Sequence, residues 1–324
     1  NEDGNKPVDL KLEYLFGKPP RTILNDKSQS LVLDEVKYDA SKLQDYLESV
    51  LQIEAVACKD WLTNKVDRSV TGKVAKQQCT GTIQLPLNNV GVAALDYQGE
   101  KGIATSIGHA PVSGLIDPAK GSVLSVSEAL LNIIWAPIED GLEGISLSAN
   151  WMWPARNDGE DTRLYNAVEA VSKFAIDLGI NIPTGKDSLS MTQKYPDGEK
   201  VFSPGTVIIS AAGEVCNIRK VISPFLAFDF NSTIIYIDFS KDSFELGGSS
   251  FAQATGKLGN ICPTVKDTQY FKRAFNVVQE LIREGLVQAG HDISEGGLIT
   301  TLLEMTFAVN DIGLDIDLHD MGEE

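Results

Sequence analysis

Residues 119–149 read AKGSVLSVSEALLNIIWAPIEDGLEGISLSA. Two periods are visible in this stretch. Val123, Val126, Leu130, Leu131 and Ile134 recur at three- and four-residue spacing, which predicts a helix over 119–135 with a broad apolar face. A strand follows from Gly144 to Ala149. This mixture of helix and strand sets the pattern for the rest of the chain.

Upstream, Val90 to Tyr97 and Gly102 to Ile107 are β-rich, with a Tyr97-Gln98-Gly99-Glu100 turn between them. Downstream, a long helix over 160–178 stops at Gly179, a C-cap residue. Tyr195-Pro196-Asp197-Gly198 is a turn, and Thr206 to Val215 reads as an apolar strand. These elements make a unit over 51–218. A second unit, 219–324, has a strand at Ile234 to Phe239, a Leu246-Gly247-Gly248-Ser249-Ser250 loop, helices over 267–288 and 298–309, and an alternating Gly313 to Leu318 that reads as a strand. Residues 1–50 carry the helix-hostile Gly17-Lys18-Pro19-Pro20 and then a helix over 39–51 striped by Leu43, Leu47, Val50 and Leu51. They read as the tail of a preceding domain and a linker. The fold class is α+β, with mixed α/β elements.

The composition narrows the function. The 324 residues include 28 Lys plus Arg against 45 Asp plus Glu, a net charge of −17. Such a chain repels nucleic acid and anionic membrane, so neither is an expected partner. Anionic nucleotides stay open if cations or local donors offset the charge. Cys58, Cys79, Cys216 and Cys262 show no CxxC and predict reduced thiols in a cytoplasmic protein. Three histidines are too few for a His-rich metal site. Residue 1 is Asn, and little chain follows the 313–318 stretch, so the expectation is a piece of a larger protein.

Four constellations could carry chemistry. Glu128 and Asn132 lie four apart on one predicted helix and can both offer oxygen to a hard cation. Alone, such a pair is the mark of a solvated helix surface, but its apolar flanks argue for a carboxylate that needs a partner. Gly290-His291-Asp292-Ile293-Ser294-Glu295-Gly296-Gly297 precedes a helix, where backbone N–H groups can meet an anion. An ordinary N-cap explains the same residues. Pro183-Thr184-Gly185-Lys186-Asp187-Ser188 fails as a P-loop, because Asp187 stands where Ser or Thr is required. Asp67-Arg68-Ser69-Val70-Thr71-Gly72, with Lys59 upstream, puts cations into an acidic chain.

These pieces occur together and in order. They are joined by Gln84-Leu85-Pro86-Leu87, Ser106-Ile107-Gly108, Leu147-Ser148-Ala149-Asn150-Trp151-Met152 and Leu246-Gly247-Gly248-Ser249. As a set, covering nearly the whole chain, they resemble the phosphoribosylformylglycinamidine synthase family. The resemblance implies a domain like the N-terminal part of aminoimidazole ribonucleotide synthetase, then part of the matching C-terminal-like domain. It implies an ATP-dependent, glutamine-dependent ligase of purine biosynthesis that converts formylglycinamide ribonucleotide to the amidine with glutamine-derived ammonia. The family's catalytic His segment and glutaminase Cys are not in this stretch, so the chain alone is expected to be inactive.

The resemblance also assigns residues. It puts Glu128, Asn132, Asn89 and Asp292 on Mg²⁺, with Asn89 where the family usually has Asp. It puts Lys59, Asn88 and Ser294 on an auxiliary ATP or ADP, Gly185 and Lys186 near the catalytic ATP, and Ser188 near the substrate. Asn150 is a neighbour of that second site. The unit over 52–216 is expected to hold a four-stranded sheet with a bare apolar face, covered by the remaining domains of a longer chain or by self-association. The competing readings are a related ATP-dependent synthetase of the same fold and a purely structural nucleotide-binding module.

Overall fold

The computed structural model describes residues 3–6, 8–18, 23–29, 31–59, 61, 72–226, 229, 231–308 and 312–321. The Asp67–Thr71 part of the cationic motif and Pro19-Pro20 lie outside the described residues.

Helices α1 (Leu12–Phe16) and α2 (Leu43–Gln52) precede the first unit. There follow β1 (Val74–Lys76), β2 (Gly91–Ala94), β3 (Gly102–Gly108), α3 (Pro111–Ile116), α4 (Pro118–Ile133), β4 (Ile145–Met152), α5 (Glu160–Leu178), β5 (Asn181–Ser188), the short β6 (Thr192–Lys194) and β7 (Lys200–Phe202), and β8 (Thr206–Val215). The second unit contributes α6 (Ser250–Ala254), α7 (Thr268–Glu284) and α8 (Gly297–Phe307).

Six strands form one sheet in the order β1-β2-β3-β8-β4-β5, two more than the sequence predicts. All neighbours run antiparallel except β4 and β5, which are parallel. Burial alternates strictly along β3, as a sheet covered on one face requires. α4 packs on the covered face against β3 and β8, and α5 packs beside α4. The approach is close: a Cβ at Gly108 would collide with the backbone of Ser125 and Ala129 on α4. Asp117 starts α4 by accepting the N–H groups of Ala119 and Lys120.

The other face of the sheet is open among the described residues. Ile103 and Ile107 are exposed on it. A groove of about 660 Å³ there is lined by Asn89, Thr105, Ser146, Ser148, Thr184 and Ser210, together with Ile107, Leu147, Ala211 and Ala212. Small hydroxyl and amide side chains are set among apolar ones there.

Two expected strands do not form. Ile234 to Phe239 and Gly313 to Leu318 have no strand partner among the described residues. Alternation marks a segment that can extend, but a strand exists only with a neighbour's hydrogen bonds. Ile235 stays 72% exposed for that reason. Gly185 to Ser188 is the converse: a stretch placed on no strand from the sequence, it is the end of β5, with Gly185 beside Ala149 and Lys186 beside Asn150 of β4.

α7 ties the units together. Phe271, Phe275, Val278 and Ile282 join the core that contains Leu130, Ile133, Leu147 and Ile209. On the same helix, fully buried Gln279 donates to the carbonyls of Ile134 (2.5 Å) and Ala136 (3.0 Å) and accepts the N–H of Ile138 (2.7 Å). Replacing it leaves three buried backbone groups without partners. Gln279→Ala should therefore lower the unfolding free energy by about 2–4 kcal/mol, measured by urea denaturation. The exposed neighbour change Glu280→Ala should cost under about 0.5 kcal/mol.

Candidate functional site

Glu128 is half-buried. It lies on α4, and its neighbours Ala129 and Leu130 are fully buried. One carboxylate oxygen accepts the backbone N–H of His109 at 2.9 Å, and the other accepts the Ser294 hydroxyl at 3.1 Å. Burial pushes its acid dissociation above the usual carboxylate range; the His109 and Ser294 contacts oppose the rise, and the nearby Asp292 charge adds to it. Residues 128 and 292–294, from distant parts of the chain, thus meet as the sequence reading requires.

The turn before α8 supplies the other wall. Gly296 and Gly297 have φ of +86° and +70°, conformations that glycine adopts without strain. Their N–H groups open the N-terminus of an 11-residue helix. Gly296 donates to the Ser250 hydroxyl at 2.8 Å, and Ser250 donates to Glu295 at 2.7 Å. Glu128, Asp292, Ser294, Gly296 and Gly297 all line one cavity of about 900 Å³.

His291 organises the site from behind. Its Nε2 lies 2.8 Å from Glu304 Oε2, and its Nδ1 lies 3.3 Å from Asp292 Oδ1. Burial pulls its pKa down, but the bonds and charges of Asp292 and Glu304 outweigh this and raise it to about 9. Asn89 is placed with Nδ2 3.1 Å from the same Nδ1. A charged ring has no acceptor there, so with His291 protonated the amide turns its oxygen to the ring. The sequence reading placed His291 in a motif but gave it no task, and it missed Glu304. Thirteen residues separate the two, and no local periodicity links them.

The remaining candidates are dispersed. Asn132 donates to the carbonyl of Ile107 at 2.9 Å, and Asn89 lines the sheet-face groove beside Ile107. Neither lines the cavity that Glu128 and Asp292 share. Lys59 donates to the carbonyl of Ala57 at 2.9 Å. Asn88 donates to the carbonyls of Gln77 (2.6 Å) and Cys79 (3.2 Å), while its buried Oδ1 has no partner among the described residues. Asn150 Oδ1 is in the same position. Lys186 donates to the Ser188 hydroxyl at 2.6 Å on β5. Two regions emerge: the cavity under α8, and the sheet face around β4 and β5. Among the described residues, no three His, Cys, Asp or Glu side chains form a ready metal cluster. No helix among them is long and apolar enough to cross a membrane.

Comparison with known proteins supplies the family. Residues 58–214 match the FGAR-AT PurM_N-like domain, and residues 240–324 match the AIR synthase related protein, C-terminal domain. A probable phosphoribosylformylglycinamidine synthase, chloroplastic/mitochondrial, of Arabidopsis thaliana is 42% identical over 319 residues, 97% of this chain and 22% of that protein. The Homo sapiens phosphoribosylformylglycinamidine synthase is 40% identical over 314 residues, 96% of this chain and 23% of that protein. The chain belongs to the phosphoribosylformylglycinamidine synthase family. It spans about a quarter of the length of these synthases. A solved structure, T. maritima PurL complexed with FGAR, is similar over 81% of this chain and 38% of that one, with a TM-score of 0.53 at 15% identity. That likeness shows a shared fold.

The Glu128 shift has a definite sign. A carboxyl group whose folded pKa is raised binds its proton more tightly in the folded state, so stability falls as pH rises from the unfolded value through the folded one. Without divalent cation or nucleotide, Glu128→Gln should raise the melting temperature at pH 8 and change it little at pH 4. Equal effects at both pH values in thermal melts would contradict the burial argument.

Proposed function

We propose that the chain is part of an ATP-dependent, glutamine-dependent carbon–nitrogen ligase that converts formylglycinamide ribonucleotide to formylglycinamidine ribonucleotide in purine biosynthesis. Its own share is an auxiliary nucleotide site and one wall of the active site. The division into 1–50, 51–218 and 219–324 is part of this proposal. So are a cytoplasmic location, glutamine-derived ammonia as the nitrogen source, and cover for the bare sheet face by the remaining domains or by a second copy of the chain.

The observation that carries the reading is the half-buried Glu128 facing Asp292 and Ser294 at a glycine turn that opens a helix N-terminus. A raised carboxylate pKa beside a second carboxylate fits a cation that neutralises both. Oxygen-only donors, two of them carboxylates, suit Mg²⁺ rather than a soft metal. In this proposal Glu128 and Asp292 hold the ion, with Asn132 and Asn89 at its margin. Asn89 lacks the charge of the usual Asp and binds more weakly. Bound there, Mg²⁺ would neutralise nucleotide phosphate oxygens. Ser294 donates to the phosphates, the N-terminus of α8 favours their negative charge, and Lys59 and Asn88 flank the nucleotide.

The β5 residues belong to the second region. Lys186 and Ser188 stand at the sheet face with Asn150 in register. There Gly185 and Lys186 meet the catalytic ATP, and Ser188 meets the ribonucleotide substrate. A cation and a hydroxyl on one strand favour this over the purely structural reading, because positioning of an anionic substrate needs both charge and direction.

The two regions separate in experiment. In the intact protein, Mg-ADP at about 100 times its Kd should stabilise by about 2.7 kcal/mol. Glu128→Ala should abolish that stabilisation. Ser188→Ala should leave it intact while lowering turnover roughly tenfold or more. Unchanged stabilisation in Glu128→Ala would make Glu128 a mere helix residue. Unchanged turnover in Ser188→Ala would leave the chain a structural nucleotide module.

A further inference from the structure

Helix α5 begins at a residue that cannot cap it. Gly159, with φ of +83°, precedes Glu160 and has no side chain to accept the N–H groups that a first helical turn leaves open. Asp26 supplies the missing acceptors. Its Oδ1 accepts the Gly159 N–H at 2.9 Å and its Oδ2 accepts the Thr162 N–H at 3.0 Å, from 133 and 136 residues away in the chain. These backbone donors hold its carboxyl below the usual carboxylate range. The Gln29 side chain closes over Gly159, 3.1 Å from where a Cβ would stand. Packing adds little to this anchor: Ser28, Gln29, Leu31 and Val32 line a cleft of about 980 Å³ above α4 and α5, and Val32 is 97% exposed.

The start of α5 is in turn tied to the end of β5. Residues 153–159 carry the chain from β4 into α5. Fully buried Trp153 donates its N–H to the Ser188 carbonyl at 2.9 Å, and its own carbonyl accepts the Met191 N–H at 3.3 Å. Asn157 donates to the Pro154 carbonyl at 2.7 Å and to the Thr192 hydroxyl at 2.9 Å. Arg156 holds a φ of +63°, with its N–H on the Asp161 carboxylate at 2.9 Å. A non-glycine residue in the left-handed region keeps that shape only where its surroundings fix it. Here one fixed end is the 188–192 stretch, and the other is the helix start that Asp26 caps.

We propose that Asp26 is a positioning residue for the substrate strand: it caps α5 and so holds the 153–159 turn, whose Trp153 N–H fixes the Ser188 backbone. The inference rests on the reading of Ser188 as a substrate contact. It makes the segment before α2 a working part of the site rather than a linker. Asp26 touches no reacting atom. Its share is aim, and a small displacement of a binding group costs rate.

The test is a double-mutant cycle on kcat/KM for formylglycinamide ribonucleotide in the intact protein. Asp26→Ala should lower kcat/KM roughly tenfold or more, and Asp26→Asn, which keeps one acceptor oxygen, should recover part of the loss. Asp34→Asn, which breaks the exposed pair with Lys257 at 3.3 Å on the same segment, should leave it unchanged. Because Asp26 acts through Ser188, combining Asp26→Ala with Ser188→Ala should lose less than the product of the two single losses. A mere loss of stability would multiply instead. If Asp26→Ala keeps full kcat/KM, if the losses multiply, or if Asp34→Asn costs as much, the positioning role is wrong and the reading of Ser188 stands. If Ser188→Ala itself costs nothing, that reading falls and this inference with it. Should Asp26→Ala fail to fold, Asp26→Asn takes its place in the same cycle.

Discussion

The site depends on a carboxylate that the fold holds half out of water. Glu128 sits on α4, and α4 is pressed onto β3 where Gly108 leaves no space for a side chain. The helix cannot rotate Glu128 into solvent without lifting that contact. Buried charge is costly, and here a second carboxylate, Asp292, worsens it. The Ser294 hydroxyl and the His109 amide offset part of the cost. In the proposed reading a cation between the two carboxylates would offset the rest.

His291 extends the same electrostatic logic. Glu304 and Asp292 together keep it charged to about pH 9. The charge that stabilises the imidazolium also fixes Asp292 in place, so the turn is oriented before any ligand arrives. α7 adds rigidity of a different kind. Its apolar face enters the core of the first unit, and Gln279 fills the bonding needs of three backbone groups there. Residues 285–290 connect α7 to the 291–297 turn, so the clamp helps to set where Asp292 meets Glu128.

Much of this was legible in the sequence. The stripe at 123–134 marked one helix because apolar spacing at that length has few other solutions, and the helix over 160–178 ended at Gly179 as expected. Glu128 with apolar flanks correctly announced a partly buried carboxylate. What could not be read depends on non-local partners. Ile234 to Phe239 is apolar and Gly313 to Leu318 alternates, each like a strand, but both lack a ladder among the described residues. Gly185 to Ser188 looks like a loop because glycine and polar residues dominate it, yet parallel pairing with β4 makes it a strand. The apolar wall from α2 was also missed. A helix stripe at 43–51 says only that something covers it, and its partner is a cavity built from residues near 110, 250 and 295.

The central claim is that Glu128 and Asp292 share a cation at a nucleotide's phosphates. The most direct measurement is anomalous diffraction from crystals of the intact protein grown with Mn-ADP. The account predicts a manganese peak within about 2.5 Å of carboxylate oxygens of both residues, next to phosphate density at the 296–297 turn. Nucleotide density elsewhere, with no manganese between Glu128 and Asp292, would contradict it.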